Sequence, residues 1–89
     1  MTLTAALVRD RVRGTILERI GGTPLLRLRR IGAGLPGELW VKLESANPGG
    51  SVKDRAGLWM VLAAEESGRV GPDSILIDAT SGNTGVALA

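Results

Sequence analysis

One lysine of this sequence stands where its amine could act as a nucleophile. Lys53 follows a glycine-bearing turn over residues 47–50 and the N-cap candidate Ser51, and Asp54 lies three positions beyond Ser51, as in a capping box. Lys53 therefore falls in the first turn of a predicted helix, where the partial positive charge of the helix N-terminus favours loss of the ammonium proton. A neutral amine is the form that attacks a carbonyl and makes a Schiff base. Because a lone lysine at a helix start is more often an ordinary surface residue, the neighbouring residues must decide between the two interpretations.

A second polar stretch precedes the last predicted helix. Hydroxyl groups, a side-chain amide and several backbone N–H groups are concentrated in Thr80, Ser81, Gly82, Asn83 and Thr84. After a strand and at a helix N-terminus, such groups form a cradle for an anion, because unpaired N–H groups point outward there. An ordinary polar loop with a good helix cap explains the same spacing equally well.

Neither stretch matches a common nucleotide-binding motif. A Walker A loop requires glycine, lysine and a hydroxyl residue in succession, whereas two residues separate Gly50 from Lys53. Gly82 and Gly85 supply only the last two glycines of a dinucleotide-binding G-x-G-x-x-G motif. If the amine and the cradle share one crevice, the ligands that they favour are a carbonyl cofactor and a small carboxylate. Pyridoxal phosphate with an amino acid fits that description.

The composition narrows the possible classes of function. The 89 residues contain no Cys and no His, which excludes thiolate nucleophiles, histidine bases and zinc fingers, and we predict no metal site. A net charge of +2 and only two aromatic residues argue against nucleic-acid binding. No apolar run is long enough to span a membrane, and the N-terminus lacks a signal-peptide pattern, so the expected location is cytoplasmic. A hydrophobic content of 44% predicts a folded core.

The N-terminal residues are predicted to form a helical arm. Residues 3–13 have helical periodicity. The predicted apolar face consists of Leu3, Ala6, Leu7 and Val8, and the predicted solvated arginines are Arg9, Arg11 and Arg13. Thr15 is then expected to cap a short helix over residues 16–20, which Gly21 ends.

Strand and helix patterns alternate in the rest of the chain. Residues 25–29 and 38–44 flank a glycine-rich turn and should pair as an antiparallel hairpin. A helix over residues 52–67, a buried strand over 74–78 and the start of a helix at 86–89 follow, so that a βαβ unit succeeds the hairpin. The positions expected to face the core from the long helix are Val52, Ala56, Trp59, Met60 and Ala63. Gly57, inside that helix, indicates that another element packs closely against it.

Three segments resemble the signatures of one enzyme family. Residues 20–26 (Ile-Gly-Gly-Thr-Pro-Leu-Leu), 47–55 (Asn-Pro-Gly-Gly-Ser-Val-Lys-Asp-Arg) and 80–85 (Thr-Ser-Gly-Asn-Thr-Gly) resemble those of cysteine synthase (O-acetylserine sulfhydrylase) and cystathionine β-synthase. The resemblance implies an α/β chain that is the N-terminal part of a tryptophan synthase β-like fold, fold type II of the pyridoxal-phosphate enzymes. It divides the chain into an N-terminal arm over residues 1–14 and an incomplete enzyme domain over 15–89.

The resemblance also implies a role for each residue of the two polar stretches. Lys53 would be the catalytic lysine that binds the cofactor as a Schiff base and moves the substrate α-proton, and Asn83 would hydrogen-bond the cofactor's 3-hydroxyl oxygen. The substrate α-carboxylate would bind to Thr80, Ser81, Gly82, Asn83 and Thr84. The implied cofactor is pyridoxal 5'-phosphate, and the implied reaction is β-replacement on an O-activated serine, namely cysteine synthesis from O-acetylserine with sulfide or a thiol. A homodimer is the expected assembly.

Two alternatives stay open at this stage. The first is cystathionine β-synthase or another fold type II lyase, because the motifs do not specify the leaving group or the incoming nucleophile. The second belongs to a different class, a catalytically incomplete chain with a structural or interaction role. It is motivated by the end of the sequence at Ala89, inside a predicted helix. The family's glycine-rich phosphate cup is not among these residues, so the 89 residues alone are expected to be inactive even if the chain belongs to an enzyme.

Overall fold

The computed structural model describes residues 2–89, which form a small α/β structure. Its helices and strands, in chain order, are α1 (Ala5–Val12), β1 (Leu25–Arg27), β2 (Trp40–Lys42), α2 (Lys53–Glu66) and α3 (Asn83–Leu88). Two short 3-10 helices, Ile16–Arg19 and Glu44–Ala46, lie between these elements. Thr4 caps α1 and Thr15 caps the first 3-10 helix, each through its side-chain oxygen, which accepts a backbone N–H from the first turn.

The predicted antiparallel hairpin is confirmed. Leu26 of β1 lies opposite Val41 of β2, and each strand is shorter than the sequence pattern predicts. The pairing continues past the assigned strands, because the Leu28 N–H donates to the Leu39 carbonyl oxygen at 2.9 Å. The hairpin is the whole of the sheet within residues 2–89.

The N-terminal arm packs on α2 through part of the predicted face. Val8 is buried with Val12 and with Leu62 of α2, and Leu3 packs against this cluster, whereas Ala6, which was expected inside, is exposed. The buried stripe continues to Val12, four residues after Val8, so the prediction ended the apolar face one turn too early. Arg11 is not simply solvated, since its guanidinium pairs with the Glu65 carboxylate at 2.5 Å.

The predicted core face of α2 is wrong. Trp59 and Met60 are 39% and 51% exposed. The remaining predicted core positions, Val52, Ala56 and Ala63, are exposed as well. The buried residues of the helix are Asp54, Gly57 and Leu62. The reason is that α2 is apolar on more than one side, and α1 and α3 cover a different side from the one that periodicity favoured.

The predicted buried strand over residues 74–78 is also wrong for this part of the chain. The segment follows α2 without being paired to another strand, and Ile75 and Ile77 are 85% and 91% exposed. Strand formation requires a partner backbone, and the two-stranded sheet of residues 2–89 does not extend to this segment. The β-branched residues therefore indicated neither the pairing nor the burial of this segment correctly.

The predicted close approach at Gly57 is confirmed. A Cβ built on Gly57 would lie 3.1 Å from the Cβ of Ala87, so α2 and α3 are in contact where α2 has no side chain. Among residues 2–89 no helix is both long and apolar enough to cross a membrane, and no group of acidic side chains is arranged to hold a metal ion.

Gly57→Leu tests this helix contact. The added side chain has no room beside Ala87, so we expect the free energy of unfolding to fall by about 1–3 kcal/mol, as for overpacked contacts. Ala63→Leu is the matched control, because it adds a Leu side chain at an exposed position of the same helix and should change the free energy by about 0.5 kcal/mol or less. Urea unfolding followed by circular dichroism measures both. Equal effects of the two substitutions would contradict the close packing of α2 on α3.

Candidate functional site

Lys53 lies in the first turn of α2, as the sequence predicts, and the helix begins at Lys53, one residue after its predicted start. Its backbone N–H donates to the Ser51 hydroxyl oxygen at 3.2 Å, and its side chain is exposed. Within residues 2–89 the Lys53 amine has no hydrogen-bond or salt-bridge partner. The other lysine differs, because the Lys42 amine donates to the Thr23 carbonyl oxygen. Lys53 is thus the lysine whose amine is available for chemistry.

The predicted capping box at the start of α2 forms only in part. Ser51 accepts the Lys53 N–H as expected, but the Asp54 carboxylate turns back to the turn and accepts the Gly49 N–H at 2.5 Å. Asp54 is buried, and its other carboxylate oxygen has no hydrogen-bond partner in the described part of the chain. The carboxylate lies so close to the turn that a Cβ on Gly49 would come within 2.9 Å of the Asp54 Cγ. Only glycine fits at residue 49 in this arrangement.

Asn47 is the centre of the turn that precedes Lys53. It is only 4% exposed, and its Oδ1 accepts the Gly21 N–H at 2.8 Å. Its Nδ2 donates to the Ser51 carbonyl oxygen at 3.0 Å and to both the backbone carbonyl and the carboxylate of Glu44, at 2.9 and 2.6 Å. One amide therefore joins the segment after the first 3-10 helix, the start of the second 3-10 helix and the residues just before α2.

Glu44 and Arg55 complete the same network. The Arg55 Nε donates to both Glu44 carboxylate oxygens, at 3.0 and 3.1 Å. The Thr23 hydroxyl donates to Glu44 at 3.2 Å and accepts from a terminal nitrogen of Arg55 at 3.1 Å. The hydrogen bond from Arg55 is the largest cause that holds the pKa of Glu44 below its ordinary value, against a smaller opposing effect of desolvation, and Asn47 and Thr23 add to the lowering. Glu44 is therefore the anion around which the network is arranged.

The second polar stretch forms a turn into α3. The Thr80 hydroxyl oxygen accepts the N–H groups of Gly82 and Gly85, each at 3.2 Å. A Cβ on Gly85 would lie 2.5 Å from the Thr80 Cγ2, so this turn requires glycine at residue 85. Within residues 2–89 the backbone N–H groups of Ser81, Asn83 and Thr84 donate to no acceptor, and Ser81 and Asn83 are exposed. These three N–H groups are the donors available to an anion at this loop. The Thr80 hydroxyl is occupied by hydrogen bonds within the loop and stabilises its conformation.

The Gly57–Ala87 contact connects the two stretches. Lys53 precedes Gly57 by one helical turn, and Asn83 precedes Ala87 by the same interval, which is about 6 Å of rise in each case. Lys53 and Asn83 therefore each lie one helical turn from the point where α2 and α3 touch. This is the geometry that brings the candidate amine and the candidate cradle onto neighbouring elements.

Thr23 and Glu44 were not singled out as functional from the sequence. Each lies outside the turn of residues 47–55, so no local spacing connects them with it. The available signal was the unusual polarity of Glu44 directly after an apolar strand, together with Asn47 three residues later on a tight turn. Only the folded hairpin shows that these side chains meet.

A model for the family described as pyridoxal-phosphate dependent enzymes matches residues 16–89. Cysteine synthase B of Salmonella typhimurium is 56% identical over 75 residues, which cover 84% of this chain and 25% of that protein. Cystathionine beta-synthase of Dictyostelium discoideum is 54% identical over 74 residues, covering 83% of this chain and 15% of that protein. The chain thus spans about a quarter or less of the length of these relatives.

Solved structures show the same likeness. The O-acetyl serine sulfhydrylase isoform 3 of Entamoeba histolytica superposes with a TM-score of 0.80 at 41% identity, covering 99% of this chain and 27% of that one. An O-acetylserine dependent cystathionine beta-synthase from Helicobacter pylori superposes with a TM-score of 0.76 at 32% identity, over 99% of this chain and 26% of that one. Two enzyme types are therefore similar to this chain to a comparable degree.

Asn47→Ala tests the central amide. The substitution leaves the half-buried Gly21 N–H without its acceptor and removes one of the donors to Glu44, so we expect a loss of about 1–3 kcal/mol in the free energy of unfolding. Asn83→Ala is the control, because Asn83 is exposed and should cost about 0.5 kcal/mol or less. Denaturant unfolding of the two variants measures the difference. A smaller loss for Asn47→Ala than for Asn83→Ala would contradict the central role of Asn47.

The lowered pKa of Glu44 predicts a dependence of stability on pH. A carboxyl with a depressed folded-state pKa stabilises the fold above its unfolded pKa, and that contribution disappears as pH falls through the folded-state pKa. The difference in unfolding midpoint between wild type and Glu44→Gln should therefore be largest near neutral pH and shrink below pH 4.5. Thermal unfolding between neutral and strongly acidic pH measures it. A difference that stays constant across that range would show that the Glu44 charge does not stabilise the fold.

Proposed function

The chain belongs to the pyridoxal-phosphate dependent enzyme family, and from that premise we propose that it supplies the cofactor lysine, Lys53, and the substrate-binding loop of a β-replacement enzyme. The observation that carries the proposal is the different state of the two lysine amines. The Lys42 amine is committed to the Thr23 carbonyl, and the Lys53 amine is exposed and unpartnered within residues 2–89 at the start of α2.

The donor set fits a pyridoxal-phosphate ligand with an amino-acid substrate. Bound in such a site, the cofactor supplies an electron sink that stabilises negative charge at the substrate α-carbon. Lys53 would hold the cofactor through its Nζ. The same Nζ would act as the general base that takes the α-proton of the substrate.

The loop before α3 would hold the rest of the ligand. The free N–H groups of Ser81, Asn83 and Thr84 suit a carboxylate, which accepts hydrogen bonds and carries the charge that a helix N-terminus favours. The Asn83 side-chain amide would donate to the 3-hydroxyl oxygen of the cofactor. Thr80 and Gly82 would contribute through the shape of the turn, since the Thr80 hydroxyl accepts the Gly82 N–H.

The proposed reaction is the formation of cysteine from O-acetylserine and sulfide. Its support is the 56% identity to a cysteine synthase B together with the likeness to an O-acetyl serine sulfhydrylase. The second candidate is cystathionine synthesis, in which a thiol takes the place of sulfide, and the 54% identity to a cystathionine beta-synthase favours it. A homodimer in the cytoplasm is the assembly and location that we propose with either reaction.

Lys53→Arg tests the assignment of the lysine. Arginine keeps the positive charge and removes the primary amine, so the absorption near ~410–430 nm of pyridoxal phosphate bonded to a lysine should be lost. Lys42→Arg is the matched control and should keep that band. Absorption spectra of the protein after incubation with the cofactor and removal of the excess measure both. A band that survives in Lys53→Arg and disappears in Lys42→Arg would overturn the assignment.

The reaction is tested with the same variants. In a protein that contains these residues together with the family's phosphate-binding residues, O-acetylserine with sulfide should yield cysteine in the wild type and in Lys42→Arg, and no cysteine above background in Lys53→Arg. Product from a thiol substrate but not from sulfide would favour the cystathionine synthase. Cofactor bonding at Lys53 without turnover of either substrate would support the cofactor site and overturn the proposed reaction.

A further inference from the structure

Arg55 holds the first turn of α2 against Glu44. Lys53 and Arg55 are two positions apart in a helix, which places their side chains about 200° apart around its axis. Arg55 points into the network, where its Nε contacts both Glu44 carboxylate oxygens. The Lys53 side chain therefore leaves the helix on the side away from Glu44. Fixing Arg55 fixes the rotation of the first turn and hence the direction of Lys53.

The backbone before Lys53 is held by the same carboxylate. Asn47 Nδ2 donates to Glu44 and also to the Ser51 carbonyl oxygen, and the Ser51 hydroxyl accepts the Lys53 N–H. Glu44 thus contacts one residue that fixes the rotation of α2 and another that fixes the position where α2 begins. Thr23, which hydrogen-bonds to both Glu44 and Arg55, ties this arrangement to the hairpin.

We propose that Glu44 is a positioning residue for the Lys53 amine, acting through Arg55 and Asn47 without touching the cofactor. The inference rests on the proposed function of Lys53. Reaction and positioning thus belong to different residues. The Lys53 amine has no partner in residues 2–89, whereas Arg55 and Asn47 are hydrogen-bonded to Glu44. A displacement of the amine by about 1 Å is enough to lower a reaction rate up to about 100-fold, so loss of the Glu44 contacts should slow bond formation at Lys53.

The test measures bond formation at Lys53 directly, without enzyme activity. Protein is mixed with pyridoxal phosphate, and samples are quenched at intervals with borohydride, which adds hydride to the carbon of the C=N bond while solvent supplies the proton to nitrogen. Peptide mass spectrometry then gives the rate of modification at Lys53 and, as an internal reference, at Lys42. In Glu44→Gln we expect the rate at Lys53 to fall about ten-fold or more relative to wild type, with the rate at Lys42 unchanged.

Two further variants separate positioning from general loss of structure. Glu38→Gln removes a carboxylate that pairs with Arg27 at 3.1 Å on the hairpin, away from the network, and should leave the Lys53 rate at the wild-type value. Glu44→Asp keeps the charge but withdraws the carboxylate by one methylene, and should give an intermediate Lys53 rate. A thermal unfolding transition recorded for each variant shows that it is folded.

Each outcome decides one proposal. Equal Lys53 rates in wild type and in a folded Glu44→Gln overturn the positioning role and leave the proposed function intact. No modification of Lys53 in wild type overturns the proposed function, and the positioning role with it. If Glu44→Gln does not fold, Glu44→Asp decides: a lower rate at Lys53 alone supports positioning, and a wild-type rate overturns it.

Discussion

The amide of Asn47 makes the hydrogen bonds on which the rest of the arrangement depends. It is buried, and its two polar atoms bond to Gly21, Glu44 and Ser51, which come from three separate segments. Leaving a buried donor or acceptor unpaired costs about 1–3 kcal/mol, so the three segments are held to one geometry more strictly than apolar contact alone would require. In this chain the constraint matters because the buried hydrophobic core between α1 and α2 consists of Val8, Val12 and Leu62.

The polar network and the apolar contacts have different parts in placing the site. The network fixes where α2 starts and how it is rotated, because Asn47 holds the turn and Arg55 holds the first helical turn. The contact between Gly57 and Ala87 then fixes α3 against α2 one turn further on. Hydrogen bonds are directional, and the glycine contact brings the two helices close together. These few residues therefore fix the positions of the N-termini of α2 and α3 relative to each other. The candidate amine and the candidate loop each begin one of those helices.

The sequence predicted the features that single residue types signal directly. Thr15 signalled the cap of a short helix, the glycine-rich turn signalled the hairpin and Gly57 signalled a close approach, and the α/β fold class and the family resemblance are confirmed. The roles of Thr23 and Glu44 could not be predicted, because they depend on the hairpin returning to the turn. Asp54 is a different case, because its spacing from Ser51 suggested a capping box and only the folded turn shows that its carboxylate accepts the Gly49 N–H.

The wrong predictions share a physical cause. Trp59 and Met60 were expected to be buried because they recur with other apolar residues at helical spacing, and Ile75 and Ile77 because they are β-branched residues in an apolar run. Hydrophobicity indicates that a surface is costly to expose, at roughly 25 cal/mol per Å² of apolar area, but it does not indicate which element covers it. Within residues 2–89, α1 and α3 cover one side of α2, and that side carries Asp54, Gly57 and Leu62. Lys53 lies one turn before Gly57 on the side of α2 that α3 approaches, and Arg55, about 200° round the axis from Lys53, lies on the side of the Asn47 and Glu44 network, so the residue that could react and the residues that hold the helix start are on different sides of α2.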